Sequence, residues 1–233
     1  MIKRLLPLLL LWSCQNSEDS ELLINAHKLA VGDDSHIKTI VTKANCKGPE
    51  GAYYTETHSS YEDNYLLFLQ DYTFKPNPFN AVIFDWKVGQ GLNTNLEQQG
   101  ALSNAVIAVL KAHEFHEVML RPEDRFENMR VIEDTTYFGQ KCHQILASDP
   151  LGLPVRVYFD IKSNFMVGFS EVNPYKKGEV IRVHFEEWKT NDDELKLFSQ
   201  VTIRQGESSV YTLNYEEVLF NAPIFKRLSQ EKM

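Results

Sequence analysis

The chain has 233 residues, of which 43% are apolar, 12% aromatic and 24% charged, with 24 Lys+Arg against 32 Asp+Glu and a net charge of −8. That composition is globular and sized for one large domain or two small ones. The acidic balance excludes a duplex nucleic-acid binder, which needs clustered Lys and Arg to meet phosphate. A chain this long buries roughly 70% of the surface its unfolded form exposes, so it needs no disulfide scaffold.

At the amino terminus Lys3 and Arg4 precede an apolar stretch from Leu5 to Trp12. A span of the membrane takes about 20 helical residues, so this short run reads as a secretory h-region, with residues 1–13 as signal peptide. Leu11-Trp12-Ser13-Cys14 resembles the bacterial lipobox, in which the Cys is acylated and becomes the mature first residue. Cys14 is thus the expected lipidation site, and a diacylated, N-acylated Cys buries enough methylene groups to hold a protein on a membrane. Loss of Lys3 and Arg4 takes the net charge from −8 to −10. Residues 14–20 read as an acidic tether and 21–233 as the domain. Gln15, where inner-membrane retention uses Asp, favours the outer membrane, facing the periplasm or the cell surface. The Ser17-Glu-Asp-Ser-Glu21 run resembles surface-export tags of Bacteroidota lipoproteins.

Glu21 to Ala30 predicts a short helix, acidic at its start and stopped by Gly32. The period then changes to two. Lys38 to Cys46, Gly51 to Ser60, Asn64 to Gln70 and Asn80 to Val88 predict a meander of strands separated by turn-forming pieces such as Lys47-Gly-Pro-Glu-Gly51. From Thr94 to about Val118 the pattern predicts a helix, with Gly100 as a point where it can split, opened by a Thr94-x-x-Glu97 capping box after a Gly89-Gln-Gly91 turn. Its centre is apolar around nearly its whole circumference, with Leu102, Val106, Val109 and Leu110 in one stripe and alanines alongside. After the charged Leu120 to Arg125 loop, seven more strands follow: Met129 to Asp134, Tyr137 to Ala147, Val155 to Ile161, Phe165 to Val172, Val180 to Trp188, Leu195 to Arg204 and Val210 to Leu219. Lys162-Ser-Asn164 and Gln205-Gly-Glu-Ser208 suit hairpin turns. About eleven strands, no linker composition and no internal repeat add up to one antiparallel domain.

This order, with the phrases Phe138-Gly-Gln-Lys-Cys-His-Gln-Ile145, Val155-Arg-Val-Tyr-Phe-Asp160 and Tyr215 to Phe225, resembles the LolA/LolB-like periplasmic lipoprotein carriers over essentially the whole mature chain. The resemblance implies a mainly β fold: one strongly curved, incompletely closed antiparallel sheet whose concave face is plugged by helix, with an acyl chain between the two. It implies a bound acyl chain or lipoprotein as ligand. The inserted helix then has two readings, plain core packing or a lid over a lipid. In the second, Leu102, Val106, Val109 and Leu110 face Leu67 and Leu69 of Tyr65-Leu-Leu-Phe-Leu69, and Phe84 and Trp86 of Val82-Ile-Phe-Asp-Trp86.

Catalytic chemistry finds no footing in the sequence. There is no Gly-x-Ser-x-Gly elbow, no phosphate-cradling glycine loop and no Cys-x-x-Cys. Adjacent acids such as Glu186 and Glu187 point to opposite faces of a strand. His113 and His116, three apart on the expected helix, are the one weak metal candidate and lack a third ligand. Export permits a disulfide between Cys46 and Cys142 if their strands lie within about 7 Å. The expectation is a non-enzymatic, lipid-anchored protein without cofactor that binds or transfers a hydrophobic ligand. The alternative is a surface or structural lipoprotein with a filled core; an envelope-stress sensor of the same fold would call for a second domain or a membrane helix.

Overall fold

Period-two patterning over most of the chain produces a sheet rather than a bundle. A computed structural model describes residues 6–74, 79–85, 88–93, 98–173 and 176–224. Helix α1 (Leu6–Val31) is followed by β1 (Thr39–Gly48), β2 (Gly51–Ser60), β3 (Tyr65–Tyr72), β4 (Phe79–Asp85), β5 (Val88–Asn93) and β6 (Gln98–Ala101). Three short helices come next, α2 (Asn104–Ala112), α3 (Phe115–Leu120) and α4 (Pro122–Arg125). Strands β7 (Glu127–Tyr137), β8 (Gln140–Ser148), β9 (Pro154–Asp160), β10 (Met166–Val172), β11 (Val180–Thr190), β12 (Lys196–Gln205) and β13 (Ser209–Phe220) complete the described chain.

All thirteen strands form one antiparallel sheet in the order β6-β5-β4-β3-β2-β1-β13-β12-β11-β10-β9-β8-β7. Each half of the chain is a meander of hairpins, and the two meet at a single seam where β1 pairs with β13. The α2–α4 segment connects the two edge strands, β6 and β7, which do not pair with each other among the described residues.

The sheet is bent around that segment. Ring contacts of 5.6, 5.3 and 6.4 Å lead from Phe68 on β3 through His113 and Phe115 to Phe169 on β10. Those strands are six steps apart in the sheet. At about 4.8 Å per step a flat sheet would hold them roughly 29 Å apart, so three ring contacts bridge them only across a concave surface. Gly168 assists the bend where β9 and β10 slip register. Its φ is +148°, and a Cβ there would sit 2.0 Å from the Val183 carbonyl oxygen, so no other residue fits.

The concave face holds the main core. Ile40, Ala44, Val157, Phe169, Phe185 and Leu213 from the sheet pack against Ile24 and Val31 of α1 and Phe115, Val118 and Met119 of α3. His27 of α1 is fully buried; its Nε2 lies 2.7 Å from the Met119 carbonyl and its Nδ1 accepts from the Met166 amide at 3.1 Å. Burial holds this imidazole below its ordinary pKa, which keeps it in the neutral form that can accept. Arg121 at the end of α3 donates to Asp34 and to the Asp34 and Ile37 carbonyls, and lies 3.7 Å from the Tyr61 ring centroid. These contacts pin the helical segment to the start of β1.

Three expectations change. The helix expected from Thr94 to Val118 is instead β6 followed by α2 and α3, and Gly89-Gln-Gly91 lies inside β5. Ser103 caps α2 by accepting from the Val106 amide at 3.4 Å. The Thr94 to Glu97 capping box lies outside the described residues. At its far end α2 stops at His113, whose backbone begins the turn into α3. Residues 14–20, read as a tether, continue the helix α1, which runs unbroken from Leu6. No helix among the described residues is long and apolar enough to cross a membrane.

Candidate functional site

Alternation along each strand decides which residues enter the concavity. The register Cys46↔Tyr53, Tyr53↔Tyr72 and Thr57↔Phe68 puts Tyr53, Phe68, Gln70 and Tyr72 on the inner face. Strand β3 therefore presents Leu66 and Phe68 to α2, where they join Ala81, Ile83, Ile107 and Leu110 in a filled cluster flanked by Leu102 and Val106. Leu67 and Leu69 lie on the other face, packed with Tyr65, Val82 and Ile224. The structure thus places two of the expected wall residues away from the helix. The run Tyr65-Leu-Leu-Phe-Leu69 is apolar throughout, so its pattern carries no parity to choose between faces. Trp86 lies outside the described residues, and Phe84 is placed only through its backbone in β4.

Beyond the carboxyl end of α2 the concavity is not filled. A cavity of about 390 Å³ lies between the helical segment and the sheet ends, within the range of small-molecule sites. Val109, Ala112, His113 and Phe115 form its helical wall; Tyr53, Tyr72, Ile181, Val183, Ile203 and Tyr211 form its sheet wall. Among the described residues, Val109 is the one expected lining residue that reaches it. The cavity is mostly apolar inside and acquires polar groups where strands end: Glu50, Gln70, Glu171, Asn173 and Gln205. The hairpins β1–β2, β3–β4, β10–β11 and β12–β13 surround this end.

Burial sets the electrostatics. Glu171 on β10 is pushed up to about 7, chiefly by loss of solvent, with Arg125 opposing and Asp149 assisting the rise. Behind the helical wall, Lys111 Nζ stands 2.6 Å from Glu114 Oε2 with Arg125 Nη1 at 3.9 Å, all three nearly inaccessible. Burial raises Glu114 as well, because its charged form loses more solvation than its partners return. This cluster ties the turn between α2 and α3 to α4, and so fixes the wall that Ala112 and Phe115 present.

The two histidines do not form a metal pair. They fall on either side of the α2–α3 break, and each ring gives one nitrogen to a backbone carbonyl. His113 Nδ1 donates to the Val109 carbonyl at 2.6 Å, while His116 Nε2 donates to the Phe198 carbonyl at 3.2 Å and its ring stacks on Phe198 at 4.1 Å. Burial drives His116 down to about 4, the state of a neutral core imidazole. Among the described residues no group of three or more His, Cys, Asp or Glu could hold a metal ion.

The thiols are free and buried, not bridged. Cys46 faces the concave core and Cys142 packs with Tyr137, Tyr158 and Val167 in a separate cluster. Their strands, β1 and β8, are six steps apart in the sheet. Cys14, the expected lipidation site, falls within the backbone of α1.

No family model matches the sequence, and no curated protein matches it significantly. Solved structures do resemble the fold. A LolA superfamily protein from Nitrosomonas europaea superposes with a TM-score of 0.60 at 7% identity, covering 88% of this chain and 94% of its own. A putative outer membrane lipoprotein-sorting protein domain from Vibrio parahaemolyticus gives 0.57 at 13% identity, covering 88% and 93%. A DUF1329 family protein from Desulfovibrio piger gives 0.60 at 9%, covering 90% and 94%. With an open antiparallel sheet wrapped around short helices and matched over 88% or more of its length by these structures, the chain has a LolA-like fold.

Proposed function

We propose that this protein binds, and hands over, a hydrophobic ligand within the cell envelope, held to a membrane by lipid on Cys14 and performing no covalent catalysis. The observation that carries the reading is the unfilled 390 Å³ cavity between the helical segment and the bent sheet, apolar within and polar at the strand ends. Taking a methylene as about the size of a water, near 30 Å³, the space holds roughly a dozen methylene groups. At ~0.8 kcal/mol for each group removed from water, that is enough for micromolar affinity after the cost of ordering the chain. Fold relatives whose names refer to lipoprotein sorting support the choice of a lipid or acylated protein as cargo. The outer membrane, with the domain facing the periplasm or the surface, is the location that the leader and Gln15 favour.

Two measurements test this. Protein purified from its native membrane is extracted and the extract examined by mass spectrometry for lipid, and the delipidated protein is titrated with N-phenyl-1-naphthylamine, a neutral dye that brightens in apolar sites. Stoichiometric lipid or saturable dye binding is expected; absence of both leaves the filled-core alternative, which the packed cluster between α2 and β3 favours. For the anchor, Cys14→Ala should release the protein from membranes, and undiminished retention refutes lipidation.

A further inference from the structure

The outer face of the sheet gathers a cluster that the sequence scatters. Arg130, Arg156, Arg182 and Arg204 lie 26, 26 and 22 residues apart. Each alternates with residues of the concave core: Met129 and Val131 flank Arg130, Val155 and Val157 flank Arg156, Val183 follows Arg182 and Ile203 precedes Arg204. All four side chains therefore leave the convex side, and all four are exposed. The register then aligns them. Arg130 is opposite Leu146, Leu146 opposite Arg156, Arg156 opposite Ser170, Ser170 opposite Arg182 and Arg182 opposite Arg204, one rung running from β7 to β12. Five steps of about 4.8 Å make a row roughly 24 Å long.

The fold leaves this charge unpaired. Arg204 lies over the Phe138 ring, 4.8 Å from its centroid, but among the described residues none of the four is ion-paired with a carboxylate. The next rung on this face, made of Gln144, Tyr158, Gly168, His184 and Thr202, contains no acid either. Like charges directly opposed across a ladder, as at Arg182 and Arg204, destabilise a sheet, so the row is not there for the strength of the strands. In a chain of net charge −8 it is a local reversal of sign. Two exposed valines border it, Val210 opposite Arg204 at the end of the row and Val172 two residues beyond Ser170.

Shape and chemistry together select what covers the row. It lies on the outside of the bend, so a flat bilayer meets its crest and not its ends, whereas a flexible chain follows the arc. The bordering valines offer apolar contacts that a polypeptide can use and a purely charged polymer cannot. Independently of the cavity, we infer that this arginine row docks an acidic, extended segment of a partner protein. At 3.3 Å per residue about seven residues span it, with carboxylates on the guanidinium groups and apolar side chains against Val172 and Val210.

Fluorescence anisotropy tests the inference on the full chain carrying Cys14→Ala, so that no acyl anchor interferes. The probes are a fluorescein-labelled peptide of about nine residues alternating Glu and Val, and its counterpart with Gln for Glu. The Glu peptide is expected to bind saturably and to weaken steeply between about 50 and 300 mM salt, and the Gln peptide not to bind. Arg156→Gln with Arg182→Gln should weaken the Glu peptide at least about fivefold, the share of two exposed ion pairs. Lys47→Gln with Lys189→Gln removes the same charge from exposed positions off the row and should change binding by less than about twofold. Arg182→Gln alone, which relieves the repulsion with Arg204, provides a variant at little risk to folding. Equal losses in the two double variants, equal binding of the two peptides, or no binding of either overturns the inference. If the arginine pair instead governs a preference for phosphatidylglycerol over phosphatidylcholine vesicles while the Glu peptide does not bind, the occupant is a lipid surface and the inference falls. None of these results bears on the cavity, whose dye binding is read separately.

Discussion

Ala112→Phe separates a hollow site from a solid one by the sign of its effect on stability. Ala112 is 8% exposed and lies on the cavity wall at the end of α2. Phe adds six ring carbons, about 100 Å³ if each takes somewhat over half of a water's share, against a cavity of about 390 Å³. Placed in that void, the ring removes its own surface from water for about 2 kcal/mol and loses about 0.5–1 kcal/mol of rotamer freedom, so stability stays level or rises by about 1 kcal/mol. In a packed interior the same insertion costs about 1–3 kcal/mol. The ligand suffers in either case if it occupies this space. A quarter of the volume is about three methylene groups, or about 2.5 kcal/mol, which predicts a loss of affinity on the order of 50- to 100-fold. Urea unfolding followed by circular dichroism gives the first quantity and dye titration the second. A variant destabilised by 2 kcal/mol or more that binds dye like the parent would refute the hollow wall at this position.

Gly168→Ala should be among the most damaging single changes, since its Cβ would meet the Val183 carbonyl at 2.0 Å in a backbone conformation suited to glycine; a loss above about 3 kcal/mol or insoluble protein is expected, and wild-type melting behaviour would show that the bulge is dispensable. Glu171 makes stability depend on pH. Its pKa is about 7 in the fold against about 4.3 unfolded, so the native chain keeps a proton that the unfolded chain releases, and stability falls as pH rises between those values, by at most about 4 kcal/mol. Glu171→Gln should flatten that decline; equal urea midpoint shifts between pH 5 and 8 in variant and parent would refute the assignment. Burial raises the Cys46 thiol to about 12 and Cys142 to about 11. Neither should react with Ellman's reagent in the native protein, both should react in urea without reductant, and native labelling within minutes would contradict the packing.

The sheet was legible because alternation and turn chemistry agree locally. Gln205-Gly-Glu-Ser208 and Lys162-Ser-Asn164 stand where hairpins turn, and eleven of the strands carry enough β-branched and aromatic residues to be recognised. Strands β5 and β6 do not: Val88-Gly-Gln-Gly-Leu-Asn93 and Gln98-Gln-Gly-Ala101 have poor strand propensity and are held by pairing with β4 and with each other. Tyr137 was grouped with the following strand, but it ends β7, and positive φ at Phe138 and Gly139 marks the turn. The cavity was least accessible of all. Its walls come from strand ends more than a hundred residues apart, such as Tyr53 and Tyr211, whose approach depends on how far the sheet bends, a quantity that no short pattern encodes. The apolar α2 stripe led instead to the adjoining packed cluster, because a side chain that fills a core and one that borders a void look alike in sequence.

The β1–β13 seam has a consequence for how the molecule assembles. Every other ladder joins strands adjacent along the chain, whereas Lys43 and Glu217, ion-paired at 2.7 Å, are 174 residues apart. Two wings can zip up from nearest neighbours before that one distant rung closes, since loop-closure entropy delays long-range pairing. Tyr53 belongs to one wing and Tyr211 to the other, so neither wing by itself encloses a binding space. On the carrier reading, ligand binding would therefore report on closure of the whole clasp, and a chain would stay unable to load until β13 had paired with β1.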